Sequence, residues 1–173
     1  MSKGLLIVYT GSGKGKTTAA LGLALRAMGH GQRVCMVQFV KSSSRTGEFS
    51  SAGYFKGLLD IHVAGRGFIR ETDDLEPHRT ASLEAWNLAR DMISSGRYRM
   101  IILDEFTYVM KYGFIPEKDV IDTLAGRPEG LHIVVTGRQA PRALVDSADL
   151  VTEMKEIKHP YSSGIKAQQG IEF

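Results

Sequence analysis

Short, nearly continuous apolar runs alternate along the chain with longer segments whose apolar residues recur at helical spacing. The apolar runs predict strands over residues 5–9, 34–40, 58–64, 100–105, 131–136 and 150–157. The helical segments cover residues 17–30, 75–95, 116–124 and 141–147. Such alternation is typical of a sheet that is covered by helices on both faces. We therefore predict an α/β fold of three layers, built on a mainly parallel, open sheet of about six strands.

The first predicted strand is followed by a glycine-rich turn. Residues 10–18 read Thr-Gly-Ser-Gly-Lys-Gly-Lys-Thr-Thr, and an Ala- and Leu-rich helix follows. Glycines at alternate positions allow the backbone N–H groups to surround a phosphate, and the positive end of the helix dipole adds to the attraction. Lys16 would supply a cation, and the Thr17 hydroxyl a magnesium ligand. The turn is therefore predicted to be a P-loop. It is one residue short, since Thr10 stands where the usual pattern has its first glycine.

The strand predicted over residues 100–105 ends in two carboxylates, Asp104 and Glu105. Acidic side chains are costly at the end of a buried strand unless a cation lies beside them. In a chain that carries a P-loop, that cation is typically Mg²⁺, held by carboxylates together with the Thr17 hydroxyl. We therefore interpret this segment as a Walker B strand. The alternative is that Asp104 only caps a turn.

Composition narrows the classes of protein that remain. The chain has 173 residues, which suits a single domain over residues 1–173. A net charge of +3 fits an anionic ligand. The sequence lacks the dense Lys and Arg clusters that nucleic-acid-binding proteins usually show. The one cysteine, Cys35, excludes an internal disulfide. No apolar run approaches the length of a membrane span and no signal-peptide pattern is present, so we expect a cytoplasmic protein.

Five further side chains have both a functional and a structural interpretation. Lys41 and Arg45 lie on a predicted polar loop, where they would contact phosphate or a carboxylate, or would simply be solvated. Composition alone places Phe68 and Trp86 in the core, although Phe68 lies on a glycine-containing loop that would present it to a ligand. His159 precedes a proline in the tail, where a structural role is the more frequent one.

Read together, these segments resemble the P-loop class of ATP:corrinoid adenosyltransferases, the cob(I)yrinic acid a,c-diamide adenosyltransferases. The resemblance covers nearly the whole chain, and the shortened P-loop is itself part of it. It is carried by residues 10–18, 26–31, 37–41, 103–108, 136–138, 148–149 and 158–160, with Gly164, Ala167, Gln168, Gly170 and Ile171.

The resemblance implies a function and a fold. Members of the family transfer the 5′-deoxyadenosyl group of ATP to the cobalt of a reduced corrinoid and release triphosphate, in the biosynthesis or salvage of adenosylcobalamin. Their sheet is that of a RecA-like P-loop NTPase. The implied cofactor is Mg²⁺, or Mn²⁺ in its place. The implied partners are a second copy of the chain in a homodimer and an electron-donating reductase or flavodoxin-like protein, with neither nucleic acid nor membrane.

The resemblance also assigns roles to residues. Lys16, Thr17 and Glu105 are expected to be catalytic, Thr17, Asp104 and Glu105 to hold the metal, and Phe68 to pack by the corrin and help displace its lower axial ligand. The residues expected to hold ATP are Gly11, Ser12, Gly13, Lys14, Gly15, Lys16, Thr17 and Thr18.

Two departures from the family pattern stand out. Arg70 replaces a second aromatic residue of the loop that carries Phe68, so displacement of the lower ligand is expected to differ. Because the first predicted strand begins by Leu5, we also expect the chain to lack the N-terminal extension that covers the site in some members.

Two other functions remain compatible with the motifs. A RecA-like ATPase or a nucleoside kinase would break the γ-phosphate bond of ATP, and Glu105 would then be the candidate to activate water. A nucleotide-binding module that acts on nucleic acid is suggested only by the sequence pI of 9.0.

Overall fold

The structure is a computed structural model that describes residues 3–43, 45–55, 57–70 and 72–172. The strands are β1 Leu6–Thr10, β2 Val34–Gln38, β3 Leu59–Val63, β4 Met100–Asp104, β5 His132–Thr136 and β6 Leu150–Glu153. The helices are α1 Lys16–Met28, α2 Gly47–Ala52, α3 Leu75–Ser94, α4 Phe106–Lys111, α5 Glu117–Ala125 and α6 Arg142–Ser147. Short 3₁₀ turns span Gly53–Phe55 and Pro160–Ser163.

All six strands belong to one sheet in the order β3-β2-β4-β5-β1-β6, and every pairing between them is parallel. The predicted α/β class and the mainly parallel sheet are therefore confirmed. Strand β5 lies between β1, which leads into the glycine-rich turn, and β4, which ends in the acidic pair. Because the strands are parallel, these polar strand ends meet at one edge of the sheet.

Different helices cover the two faces of the sheet, which gives the predicted three layers. On one face, Ala20 and Ala24 of α1 are fully buried in a cluster with Ile102 of β4. These small side chains allow α1 to lie close to the strands. On the other face, Trp86 of α3 stacks on Phe106 of α4, with ring centroids 5.0 Å apart. Trp86 is 3% exposed, so the prediction that it belongs to the core is confirmed.

The structure differs from the sequence prediction at three elements. Helices α2 and α4 were not predicted: α2 begins at the end of the loop assigned to residues 41–47, of which Ser44 lies outside the described residues. The predicted strand 150–157 ends at Glu153. The next residue, Met154, accepts a hydrogen bond from the Gly13 N–H, so the chain there turns towards the glycine-rich turn instead of extending the sheet.

Candidate functional site

A large cleft lies at the carboxyl edge of the sheet. Its volume is about 1350 Å³. The glycine-rich turn forms one wall, and the start of α4 and the loop after β5 form the opposite one. The predicted site residues that line it are Gly11, Ser12, Gly13, Lys14, Gly15, Lys16, Thr17, Thr18, Phe68 and Glu105. Asp104 is not among the residues that line the cleft, and it is buried, with a relative exposure of 1%.

The glycines of the turn are required by the backbone that passes behind it. A Cβ atom at Gly11 would lie 2.3 Å from the Met154 carbonyl oxygen, and Gly11 has a φ of 99°. Gly15 caps α1 with a φ of 106°, in the left-handed region that side chains disfavour. The Gly13 N–H donates to the Met154 carbonyl oxygen at 2.7 Å. That N–H therefore does not point into the turn, which corrects the expectation that each amide of the loop faces a phosphate.

Lys16 is held inside the turn. It is 6% exposed, and its Nζ donates to the carbonyl oxygens of Gly11 at 2.9 Å and Gly13 at 2.7 Å. Burial lowers the pKa of Lys16, and the negative charge of Glu105 partly offsets this. The first N–H groups of a helix have no acceptor within the helix, and no side chain caps α1. The amine and these N–H groups together form a place for an anion.

Asp104 joins the end of β4 to α1 and β5. Its Oδ1 accepts from the Thr17 hydroxyl at 2.8 Å and from the Thr136 hydroxyl at 2.9 Å. Burial raises the pKa of Asp104, although these two hydrogen bonds act in the opposite direction. Its Oδ2 is buried and has no hydrogen-bond partner within the described part of the chain. The interpretation of Asp104 as a turn cap is not supported, because the hydroxyls of two separate elements occupy Oδ1.

The unpartnered Oδ2 of Asp104 and the adjacent Thr17 hydroxyl fit Mg²⁺, which prefers oxygen ligands. No group of three or more His, Cys, Asp or Glu side chains in the described ranges is arranged to hold a metal ion. Mg²⁺ is usually bound through one or two carboxylates together with phosphates of the substrate.

Glu105 turns the chain from β4 into α4 with a φ of 56°, an unusual conformation for a residue with a side chain. Its N–H donates to the Thr136 Oγ1 at 2.9 Å, which stabilises the turn. Burial and the neighbouring Asp104 carboxyl raise the pKa of Glu105, and the positive charges of Lys16 and Arg138 lower it in part. The structure thus brings together Lys16, Thr17, Asp104 and Glu105, as predicted.

A second polar cluster lies beside Asp104. Gln38 at the end of β2 is in register with Asp104 and is fully buried. The Gln38 Nε2 donates to the Glu48 Oε1 at 3.0 Å, and Lys41 forms an ion pair with the same carboxylate. Burial alone would raise the pKa of Glu48, but the hydrogen bonds, chiefly that from Lys41, outweigh it and lower the pKa. The positive charge of Lys41 is therefore paired with Glu48 beside the cleft. Arg45, in contrast, is exposed to solvent.

Phe68 is 65% exposed and lines the cleft. The placement in the core that composition favoured is therefore wrong. Its ring meets that of Tyr108 edge to face, with centroids 5.6 Å apart at 85°. The Phe68 side chain is thus exposed at the rim of the cleft, and the Tyr108 ring supports it there.

The C-terminal segment also reaches the site. Glu172 accepts a hydrogen bond from the Lys14 Nζ at 2.8 Å, and Gly170 and Ile171 line the cleft. The His159 Nδ1 accepts from the Tyr161 N–H at 3.2 Å and so caps the short turn that follows. In this structure His159 has the structural role.

In the described residues, no helix is long and apolar enough to cross a membrane.

Several residues at the site were given no role from the sequence: Gln38, Glu48, Thr136, Arg138 and Glu172. The one local signal was Gln38, an amide within an apolar run, since a buried polar side chain requires a partner. The others contact the motifs only through the fold.

Comparisons with known proteins identify the family of the chain. Residues 2–173 match the family model described as ATP:corrinoid adenosyltransferase BtuR/CobO/CobP. The chain is 39% identical to a corrinoid adenosyltransferase of Pseudomonas aeruginosa over 171 residues, which is 99% of this chain and 84% of that protein. It is 42% identical to a corrinoid adenosyltransferase of Sinorhizobium sp over 173 residues, which is 99% of this chain and 81% of that protein.

A solved structure shares the fold. The flagellar accessory protein FlaH from Methanocaldococcus jannaschii superposes with a TM-score of 0.55 and 14% identity, over 88% of this chain and 72% of that one. This likeness concerns the fold alone. The sequence relatives go further, because they extend over nearly the whole chain. The chain belongs to the ATP:corrinoid adenosyltransferase family.

Proposed function

We propose that this chain transfers the 5′-deoxyadenosyl group of ATP to the cobalt(I) centre of a reduced corrinoid and releases triphosphate. The observation that carries the proposal is one cleft that contains an anion-binding turn, a buried carboxylate with an unpartnered oxygen and an exposed aromatic ring. The first two features suit a polyphosphate with its metal ion, and the third suits a flat, apolar ring system. Membership of the family names the two substrates.

The reaction needs little chemistry from the protein. The cobalt(I) electron pair forms the bond to C5′ of ATP, the C5′–O bond breaks, and its electrons leave with the triphosphate. The corrinoid is itself the nucleophile, so neither a side-chain nucleophile nor a general base is required. The tasks of this chain are therefore to align the C5′–O bond with the cobalt and to stabilise the negative charge that gathers on the leaving triphosphate.

Lys16 is proposed to stabilise the triphosphate. In this structure carbonyl oxygens of its own loop accept two of the three N–H donors of its Nζ. A phosphate oxygen is a stronger partner, since it carries a negative charge, and the amine would exchange one of these carbonyls for it. The N–H groups at the start of α1 would hold the same group from the other side. We assign residues 11–18 to triphosphate binding on this basis.

Mg²⁺, or Mn²⁺ in its place, is proposed as the cofactor. Thr17, Asp104 and Glu105 would hold it, with Asp104 contributing the oxygen that is unpartnered in the described chain. A bound Mg²⁺ would neutralise part of the charge on the triphosphate as the C5′–O bond breaks. The Thr136 hydroxyl donates to the same Asp104 oxygen as Thr17 and so helps to fix the orientation of the carboxylate.

Phe68 is proposed to contact the corrinoid. Its exposed ring and its position at the rim of the cleft suit contact with the corrin, where it would help displace the lower axial ligand. Arg70, in place of a second aromatic residue, is exposed on the same loop. We propose that the displacement here depends mainly on Phe68.

The setting of the reaction is also part of the proposal. We propose that the chain is one domain, that it acts in the cytoplasm as a homodimer, and that a reductase or flavodoxin-like protein supplies the electron that makes cobalt(I). We propose no nucleic-acid partner. Steeply salt-dependent binding to DNA would contradict that last statement.

The test is an anaerobic reaction with ATP, Mg²⁺ and chemically reduced corrinoid, followed by identification of both products. The proposal predicts triphosphate and a light-sensitive cobalt–carbon adduct in equal amounts. Release of ADP, with or without the corrinoid, would instead assign the chain to the ATPases or kinases.

A further inference from the structure

The loop that carries Phe68 is fastened to the rest of the molecule by a few hydrogen bonds. The Gly65 N–H donates to the Lys41 carbonyl oxygen at 3.0 Å, and the Gly67 N–H to the Val40 carbonyl oxygen at 2.7 Å. Beyond Phe68, the Ile69 N–H donates to the Tyr108 hydroxyl. The backbone is therefore held on each side of Phe68, by the chain after β2 on one side and by Tyr108 on the other.

Tyr108 contacts this loop in two ways. Its hydroxyl accepts the Ile69 N–H, and its ring meets the Phe68 ring edge to face at 5.6 Å. The Tyr108 ring also contacts that of Tyr112, with centroids 4.9 Å apart. An edge-to-face pair restricts the direction in which the exposed Phe68 ring points.

The helix that bears Tyr108 is firmly placed. Phe106 is fully buried and contacts both Phe39 and Trp86, while the Thr107 hydroxyl donates to the Arg138 carbonyl oxygen at 2.7 Å. Helix α4 also begins directly after Glu105. Tyr108 is thus a fixed support, continuous with the acidic end of β4, against which a more weakly held loop rests.

We propose that Tyr108 is a positioning residue for the corrinoid step. Through the Ile69 N–H and the edge-to-face contact, it holds Phe68 where the corrin binds, and it keeps the loop in register with the acidic strand end that faces the triphosphate. This role rests on the proposed function of Phe68. The hold on the loop itself does not depend on that function, so it is testable separately.

Limited proteolysis measures directly how firmly Tyr108 holds the loop, because Arg66 and Arg70 are exposed on it and are sites of tryptic cleavage. Tyr108→Phe keeps the ring and removes the hydroxyl acceptor. Loss of one such hydrogen bond should raise the open population of the loop about fivefold, which corresponds to roughly 1 kcal/mol. Tryptic cleavage of the full chain after Arg66 and Arg70 should accelerate by that factor relative to cleavage after Lys158, an exposed residue of the C-terminal segment.

The matched control is Tyr98→Phe. The Tyr98 hydroxyl donates to the Asp60 Oδ2 at 2.7 Å, so this variant also loses a hydrogen bond. Tyr98 precedes β4, at the opposite edge of the sheet from the cleft. The control should leave the ratio of loop cleavage to Lys158 cleavage unchanged. Equal loop cleavage in Tyr108→Phe and the unmodified chain, or the same acceleration in Tyr98→Phe, would overturn the proposal.

Two further readouts complete the test. Hydrogen exchange in the unmodified chain should show the Ile69 amide protected, and an unprotected amide would also overturn the proposal, even if Tyr108→Phe failed to fold. In the transfer assay, Tyr108→Phe should raise the KM for complete cobalamin about fivefold and leave the KM for ATP unchanged. An unchanged KM for cobalamin would contradict a role in the corrinoid step. If the unmodified chain transferred no adenosyl group, the proposed function would fail while the proteolysis result stood.

Discussion

Replacing Lys16 by alanine should remove the one side-chain cation enclosed by the glycine-rich turn within the described structure. Lys16 is 6% exposed, and its amine lies within hydrogen-bond distance of the Gly11 and Gly13 carbonyl oxygens, where the triphosphate is expected to bind. A charged donor aimed at a leaving group in a water-poor site is typically worth about 3–4 kcal/mol in the transition state. We therefore expect kcat/KM for ATP to fall by roughly 10²- to 10³-fold.

Lys14 provides a matched control from the same loop, because we assign its backbone, and not its side chain, to triphosphate binding. Its side chain is 41% exposed and forms an ion pair with Glu172. Exposed ion pairs contribute little, so Lys14→Ala should reduce kcat/KM by less than about fivefold. Lys16→Ala should keep its fold, because the loss of two hydrogen bonds is offset by no longer burying a cation; we expect Tm to change by less than about 5 °C.

The assay is triphosphate release under anaerobic conditions with saturating reduced corrinoid, together with calorimetric titration of MgATP. Lys16→Ala should lose both activity and ATP affinity, and Lys14→Ala should keep both. Equal losses in the two variants would mean that general positive charge, rather than the enclosed amine, drives binding. Near-normal rates for Lys16→Ala would remove the turn from the mechanism.

Three further predictions follow from single contacts. Phe68→Ala should lose more activity with complete cobalamin than with a corrinoid that lacks the lower base, by about tenfold; equal losses would reduce Phe68 to a packing role. Asp104→Asn should lower activity at least about 100-fold, because it removes a proposed metal ligand. The Tm without metal should stay equal or rise, because burial raises the pKa of Asp104 and makes its charged form costly at neutral pH. A lower Tm with normal activity would contradict this. Burial, with Arg99 and Arg127, lowers the pKa of His132, whose Nδ1 accepts the Leu5 N–H. The unfolded chain therefore binds the extra proton first, so the free energy of unfolding should decline as the pH falls below about 6.5, and His132→Asn should flatten that decline in denaturant titrations.

Much of the sheet was predictable because its strands are short apolar runs. Strand β4, for example, was predicted to within one residue, since an unbroken run such as Met-Ile-Ile-Leu is buried on both faces of a parallel sheet. Helices α2 and α4 contain only six residues each, too few for a helical period to be seen, whereas the equally short α6 follows Pro141, a residue typical of helix starts. Strand β6 was predicted too long, because apolar residues continue past Glu153 while the backbone has already turned to support the glycine-rich turn.

The candidate site likewise has a part that was predictable from the sequence and a part that was not. The glycine-rich turn and the acidic pair are each contiguous in sequence, so their chemistry can be inferred without knowledge of the fold. The contacts that complete them join distant residues: Thr136 orients Asp104 across 32 positions, and Lys14 meets Glu172 across 158. Phe68 shows the limit of composition, since an aromatic residue is usually buried; the family resemblance indicated a ligand contact, and the structure places this ring at the rim of the cleft.

The central claim is that this cleft grips the triphosphate as a leaving group and breaks the bond from C5′ to oxygen. ATP labelled with ¹⁸O at the 5′ bridging position tests it directly, with mass spectrometry of the products after an anaerobic reaction with reduced corrinoid. The account predicts that all the label leaves in triphosphate. Label retained in ADP, with unlabelled phosphate as the other product, would contradict it.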